Sequence, residues 1–326
     1  MHGAEDSAEA VPAAIAILGP TGSGKSALAM QIAARLPVEL ISVDSAQVYR
    51  GMDIGTAKPS AAERRAVPHH LIDIREPEQS YSAGEFRADC LALLRDIAAR
   101  GRVPLLVGGT MLYFRALFQG IAAMPAADRV LRAGIDARAA LLGWPALHAE
   151  LALRDPVSAA RIHPNDAQRI QRALEVIELS GRPLGEHWTS DAKPSSFCDW
   201  HICVLEPEQR ALLHAALAAR LDAMLAAGFP EEVSNLLARG TLDEHSPALR
   251  LVGYRQLTGY CRGNETLESA AQHALEATRQ LAKRQLTWLR SDSLLPAGAT
   301  VLRCDPFETT RMEQMLGVLI KAKLPP

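Results

Sequence analysis

Residues Ala13 to Leu18 form a short apolar run that ends in Gly19-Pro20-Thr21-Gly22-Ser23-Gly24-Lys25-Ser26, and Ala27 to Leu36 continues with helical character. Gly-x-x-x-x-Gly-Lys-Ser between a strand and a helix is a phosphate-binding loop, and no other stretch constrains the fold as much. Its glycines let successive backbone N–H groups converge on phosphate oxygens, and the helix N-terminus adds partial positive charge. Lys25 adds a full charge, and the Ser26 hydroxyl suits Mg²⁺. The loop predicts a diphosphate or triphosphate ligand without saying which bond breaks; its nucleotide-binding and ATP-binding character is read from the motif alone.

The rest of the chain agrees with a sheet built around that unit. Val38 to Val43 reads as a second strand ending at Asp44, Leu71-Ile72-Asp73-Ile74 as a short third, and Pro104 to Val107 as a fourth closed by Gly108-Gly109-Thr110. Tyr81 to Arg100 carries helical apolar spacing at Phe86, Cys90, Leu93, Leu94 and Ile97. Strands alternating with helices predict an α/β fold, a P-loop NTPase-like parallel sheet with helices on both faces. From Pro125 the chain turns helical and Arg-rich until a strand returns near Cys198, so a helical insertion domain is expected. Its clearest helix starts at Asn165 or Asp166 as N-cap, runs through Ile170, Leu174 and Ile177, and stops at Gly181. The expected division is a flexible tail over 1–12, a catalytic core over 13–124 and 196–326, and the insertion over 125–195. After Pro207 the chain is mostly helical to Arg290, with Val301-Leu302 and Cys304 as a last strand candidate.

Composition narrows the setting. Lys and Arg number 35 against 37 Asp and Glu, a net charge of −2 that gives no global pull toward polyanions. A nucleic-acid surface must then be local. Five scattered cysteines argue against a disulfide framework and for a reducing, cytoplasmic compartment. Cys198, His201 and Cys203 lie close together but on a strand-like stretch without a second ligand pair, which favours buried thiols over a metal site. No apolar stretch is long enough to span a membrane.

A nucleotide-hydrolysing P-loop protein shows a metal-binding aspartate at the end of an apolar strand. Here the fourth strand ends in Gly108-Gly109-Thr110, and the carboxylate ends the second strand as Asp44. At the C-terminal end of a parallel strand Asp44 stands on the ligand side of the sheet. It can act as a base there, or hold a metal-bound water, or cap a helix. The loop by itself leaves a small-molecule kinase and a transferase equally open.

The segment Asp44-Ser45-Ala46-Gln47-Val48-Tyr49-Arg50-Gly51-Met52-Asp53-Ile54-Gly55-Thr56-Ala57-Lys58-Pro59 resembles the signature of tRNA dimethylallyltransferases, also called tRNA isopentenyltransferases. Pro68 to Asp73, Tyr81 to Phe86, Val107 to Tyr113, Arg169 to Val176, Gly253 to Gln256 and Thr278 to Arg290 are similar to that family in the family's order, over about residues 13 to 291. Gly22 stands where many members have alanine.

The resemblance implies that residues 19–26 hold the diphosphate of dimethylallyl diphosphate and that the allylic carbon–oxygen bond breaks. Lys25, backbone N–H groups, Mg²⁺ and Arg220 then oppose the charge growing on the leaving group. Thr110 would hydrogen-bond the bridging oxygen. Asp44 would take the proton from the exocyclic amine of adenine, a poor nucleophile.

An adenine stacked in a tRNA anticodon stem-loop must be extruded to reach such a site. The helix from Thr278 to Arg290 offers Arg279, Lys283, Arg284 and Arg290 with no acid and with Trp288 among them, and Arg279, Lys283 and Arg290 share a face. By the resemblance, tRNA contacts fall on Asp44, Ser45, Ala46, Gln47, Thr110, Arg132, Gln168, Arg169, Ile170, Gln171, Arg172, Arg250, Gly253, Tyr254, Arg255, Lys283, Arg284, Gln285, Trp288 and Arg290. With no long apolar stripe left over, a monomer is expected. The rivals are a P-loop small-molecule kinase and a non-catalytic RNA-binding nucleotide switch.

Overall fold

The computed structural model describes residues 11–121, 124–125, 127–189, 198–243, 246–291 and 293–321. The chain divides into two compact units, residues 1–119 with 194–326, and residues 120–193. Most of the expected tail lies outside the described residues, but Val11 and Pro12 belong to the first strand, where Val11 pairs with Cys198.

The first unit opens with β1 (Val11–Leu18), α1 (Lys25–Ala33), β2 (Val38–Val43), α2 (Ala61–Ala66), β3 (His69–His70), α3 (Ala83–Ala99), β4 (Val103–Gly108) and α4 (Met111–Gln119). The second unit holds α5 (Arg129–Leu142), α6 (Trp144–Arg154), α7 (Pro156–Ala159), α8 (Ala167–Ser180) and α9 (Leu184–Thr189). The chain returns to the first unit with β5 (Cys198–Leu205), α10 (Arg210–Ala226), α11 (Phe229–Ala238), α12 (Tyr254–Cys261), α13 (Leu267–Leu289), β6 (Thr300–Cys304) and α14 (Thr309–Lys321).

The strands form one parallel sheet in the order β3-β2-β4-β1-β5-β6. Continuous apolar runs in the central strands follow from burial on both faces. Ala14, Ala16 and Leu18 of β1 point into one core with Ile41, Val43, Leu106, Trp200 and Ile202. Ile15 and Ile17 point into the other, closed by Leu28, Ala29 and Ile32 of α1 and by Met315, Leu316 and Leu319 of α14. On the first face Phe86 of α3 stacks on Tyr113 of α4, ring centroids 4.5 Å apart. The α3 start is fixed by a capping box in which Ser82 accepts from the Glu85 N–H and Glu85 accepts from the Ser82 N–H.

The third strand is shorter and earlier than its sequence suggests. Leu71 and Asp73 have φ of 61° and 57°, a left-handed backbone that cannot continue a strand. Asp73 is held there by Lys58, whose buried ammonium also bonds Asp53 and the Tyr49 carbonyl. Cys198 and Cys203 belong to opposite sides of the sheet, Cys203 in one core and Cys198 against the other, so they do not converge on a metal.

The helical unit has its own core of Ile135, Leu147, Leu151, Ile170, Leu174, Val176 and Ile177. In α8 the Asp166 side chain accepts from the Arg169 N–H, and Gly181 ends the helix at φ 69°, as the spacing of caps predicts. Among the described residues no single helix is long and apolar enough to cross a membrane.

Candidate active site

Because the sheet is parallel, the loops that follow β1, β2 and β4 emerge at one edge, and these strands are neighbours. Their last residues sit in register: Leu18 pairs with Gly108, and Gly108 with Val43. The residues just beyond are Gly19, Gly109 and Asp44, so the phosphate loop, the Gly-Gly-Thr turn and the carboxylate meet by topology alone. Gly108 permits the close approach, since a Cβ there would lie 2.0 Å from the Val43 carbonyl oxygen.

Residues 19–26 have the geometry of a phosphate cradle. Gly22 and Gly24 adopt φ of 79° and 74°, open to glycine and strained for other residues. The Ser23 hydroxyl and the Lys25 ammonium both donate to the Pro20 carbonyl, at 2.8 and 2.6 Å. Lys25 starts α1, with Ser26 exposed beside it. Burial first, and then the charge of Arg220, lowers Lys25 to about 7, opposed by the charge of Asp44. Arg220 on α10 is itself lowered by burial and raised by Asp44. Four residues that lie far apart in sequence or on separate elements (Lys25, Asp44, Thr110 and Arg220) thus share one electrostatic neighbourhood or its wall.

That wall encloses a cavity of about 440 Å³ lined by Thr21, Asp44, Thr110, Arg220, Arg250 and Arg284 among others, with an apolar side from Leu217, Leu221, Met224 and Phe229. A polar rim and an apolar wall suit a ligand with a charged head and a hydrocarbon tail. One oxygen of Asp44 accepts from the Ala46 N–H at 2.8 Å, an Asx turn that fixes the side chain. Thr110 accepts from the Ser45 N–H at 3.0 Å. Asp44 also lines a smaller cavity of about 130 Å³ with Lys25, Ser26 and Gln47. A hydroxyl and a carboxylate there are hard oxygen donors, the set that Mg²⁺ takes alongside phosphate oxygens and water.

Helix α13 lines two different cavities. Thr278, Leu281, Arg284, Gln285 and Trp288 line the main cavity. Arg279, Lys283 and Arg290 line a separate groove with Arg210 and Arg255. Arg279, Lys283 and Arg290 therefore do share a face, whereas Trp288 and Arg284 belong to the opposite one. Lys283 and Arg284 are exposed, and Arg290 is paired with Glu206 at 2.6 Å.

Several residues expected at RNA are occupied otherwise. Ile170 is fully buried in the helical unit's core, so its side chain cannot reach a ligand. Arg132 and Arg172 both hold Glu175, whose side chain has no exposure. Burial alone would raise the Glu175 carboxyl, but the bonds from Arg132 and Arg172 hold it below the ordinary range. Gln171 donates to Asp136 at 2.6 Å. Gln168 and Arg169 stay exposed on α8. Tyr254 is buried with its hydroxyl on Glu232 at 2.6 Å, and buried Gly253 has φ of 90°. Gln285 uses both ends of its carboxamide within the protein, accepting from the Thr21 N–H and donating to the Gly109 carbonyl. Arg250 and Arg255 are exposed, while Ser45, Ala46 and Gln47 are partly so.

Sequence reading missed Glu232. Its carboxylate accepts from the N–H groups of Asp53, Ile54 and Gly55 at 2.7, 2.7 and 3.1 Å, clamping the loop after β2. The partners lie 177–179 residues away, and an acid early in a helix gives no local sign of that.

The family model described as IPP transferase matches residues 47–292. A tRNA dimethylallyltransferase of Bordetella pertussis is 57% identical over 281 residues, covering 86% of this chain and 90% of the relative. The crystal structure of a Bacillus halodurans tRNA isopentenylpyrophosphate transferase is 36% identical, with TM-score 0.65 over 96% of this chain and 98% of that one. A eukaryotic dimethylallyltransferase, captured in crystallographic snapshots acting on tRNA, gives TM-score 0.77 at 26% identity, covering 94% of this chain and 77% of that one.

Proposed function

The chain belongs to the IPP transferase family, and we propose that it moves a dimethylallyl group from dimethylallyl diphosphate to the exocyclic N6 amine of the adenine 3′-adjacent to the tRNA anticodon, releasing diphosphate. The observation that carries this reading is the convergence of Thr21 of the phosphate loop, Arg220, Thr110 and Asp44 on one cavity with an apolar wall, with Asp44 shared by the smaller cavity that Lys25 and Ser26 line and Lys25 within reach of the charges of Arg220 and Asp44. The apolar wall of Leu217, Leu221, Met224 and Phe229 suits a five-carbon chain.

The backbone N–H groups from Gly22 to Ser26, with Gly24 capping α1, receive the diphosphate. Lys25 and Arg220 neutralise the charge that grows on it as the allylic carbon–oxygen bond lengthens. Thr110 donates its hydroxyl proton toward the bridging oxygen. Its oxygen remains seated on the Ser45 N–H, which holds it in place. Ser26 would hold Mg²⁺, which supplies further neutralisation of the leaving group when bound. Asp44, oriented by its Asx turn, accepts the proton released as the carbon–nitrogen bond forms. Exposed Arg250, Arg255, Lys283 and Arg284 are the cations that meet the anticodon stem-loop. We take the enzyme to act as a cytoplasmic monomer.

Mass spectrometry of tRNA incubated with the protein, Mg²⁺ and dimethylallyl diphosphate tests donor, acceptor and chemistry at once. One dimethylallyl mass on an adenosine beside the anticodon is expected. Labelled ATP in place of the donor should leave the RNA unlabelled; phosphate entering a hydroxyl instead would replace the reading with a kinase. Asp44→Asn should lower kcat by roughly 10²–10⁴-fold while the dissociation constant for the stem-loop stays within about twofold. A retained rate would remove Asp44 from the base role.

A further inference from the structure

Resting on the transfer reaction above, we propose that Gln285 is a positioning residue: its carboxamide fixes the phosphate loop against the Gly109-Thr110 turn, and so fixes the leaving group against the acceptor's base. The Thr21 N–H donates to Gln285 Oε1 at 2.9 Å, and Gln285 Nε2 donates to the Gly109 carbonyl at 2.8 Å. Both partners are backbone atoms of loops that end adjacent strands, and both lie far off in sequence, at separations of 264 and 176 residues. A single side chain from α13 therefore ties the β1 loop to the β4 loop.

The tie continues to the base. Thr110 follows Gly109 and accepts from the Ser45 N–H at 3.0 Å, and Asp44 precedes Ser45 in the turn that holds its carboxylate. The loops after β1, β4 and β2 are thus laced in series through Gln285 and Thr110. Gly109 fits the same purpose. A Cβ there would stand 2.5 Å from Gln285 Nε2 and 3.2 Å from the Gly19 carbonyl oxygen, so glycine and glutamine are complementary at this contact.

Few side chains can bridge an N–H and a C=O at once, because that demands an acceptor and a donor on one planar group. Transfer between two bound partners requires reacting atoms within about 3–3.5 Å in line, and small misplacements cost rate steeply. On α13 the residues beside Gln285, Arg284 and Trp288, line the same cavity. The helix that faces the acceptor is thereby anchored to the loop that holds the donor. An RNA contact is the competing role for Gln285, and it predicts a different kinetic signature, since its loss would weaken RNA binding and spare the bound complex.

The test is steady-state transfer at saturating dimethylallyl diphosphate and anticodon stem-loop, with the stem-loop dissociation constant and thermal melting measured in parallel. Gln285→Met keeps the volume and removes both bonds. It should lower kcat roughly ten- to a hundredfold, with RNA affinity within about twofold. Gln285→Glu keeps the bond from Thr21 but sets a carboxylate oxygen against the Gly109 carbonyl, so it should lower kcat at least as far. Gly109→Ala should impair kcat when Gln285 is present and add less to Gln285→Ala, because the 2.5 Å clash with the carboxamide is then gone and only the 3.2 Å approach to the Gly19 carbonyl remains.

Wild-type kcat in the Met and Glu variants, or a loss confined to RNA affinity, overturns the proposal. Strictly additive effects of Gly109→Ala and Gln285→Ala overturn it as well. A wild-type enzyme that fails to alkylate RNA would instead sink the function reading, so the two failures are distinct.

Discussion

Burial and the charge of Arg220 bring Lys25 down to about 7, while Asp44 pulls the other way. A free lysine titrates at 10.5, so from about pH 7 upward the unfolded chain keeps a proton that the folded one has released. Stability attributable to this lysine therefore rises with pH across that window, and the full cost of the enclosed ammonium is felt below it. A bound diphosphate sets negative charge against Lys25 and raises it again. Diphosphate binding at pH 8 should then take up protons, read as unequal calorimetric heats in two buffers of different ionisation enthalpy. Lys25→Met should abolish the difference. Arg220→Met should shrink it, since removing a like charge raises Lys25 before the ligand arrives. Equal heats for the wild type would take Lys25 out of the phosphate site.

At the level of elements, α8 shows what a helix reveals of itself and what it hides. Asp166 as N-cap and Gly181 as terminator are local signals, and both are present as read. Glu175 in the same helix is not legible, because its partners Arg132, Arg172 and the Asp128 N–H come from up to 47 residues away. With no side-chain exposure and both arginines bound, Glu175 should be a keystone of the helical unit. Glu175→Ala is expected to destabilise that unit by roughly 2–4 kcal/mol, seen as a separate early melting step; an unchanged melt would contradict this. β3 failed for a related reason. Leu71 to Ile74 is apolar enough for a strand, but Leu71 and Asp73 take a left-handed backbone, with Asp73 bound by Lys58 from a different loop. The phosphate loop, Asp44 and Gly108-Gly109-Thr110 were readable because each is contiguous and stands at a strand end. Glu232 was not, and Gln285 was readable only as an RNA contact, because the bonds that each makes within the protein exist only after distant segments meet.

For the whole molecule, a net charge of −2 means that RNA affinity has to arise from where cations lie and not from how many there are. Much of the positive charge is already neutralised locally, Arg132 and Arg172 by Glu175 and Arg290 by Glu206. Lys283 differs: it is exposed and lines the groove of about 840 Å³ that also holds Arg210, Arg255 and Arg279. A phosphate contact releases counterions, so each one adds nearly one unit to the salt dependence of binding. Lys283→Ala should weaken stem-loop binding by a similar factor for every RNA sequence and reduce the slope of log K against log salt by about 1, with kcat at saturation unchanged. Arg290→Ala should reduce the slope by less, since its guanidinium already faces a carboxylate. Titrations between about 50 and 200 mM salt resolve slopes of this size. If Lys283→Ala leaves the slope intact, the groove behind α13 does not meet the phosphate backbone, and the RNA must be held from the cavity face of that helix by Arg284 and Arg250.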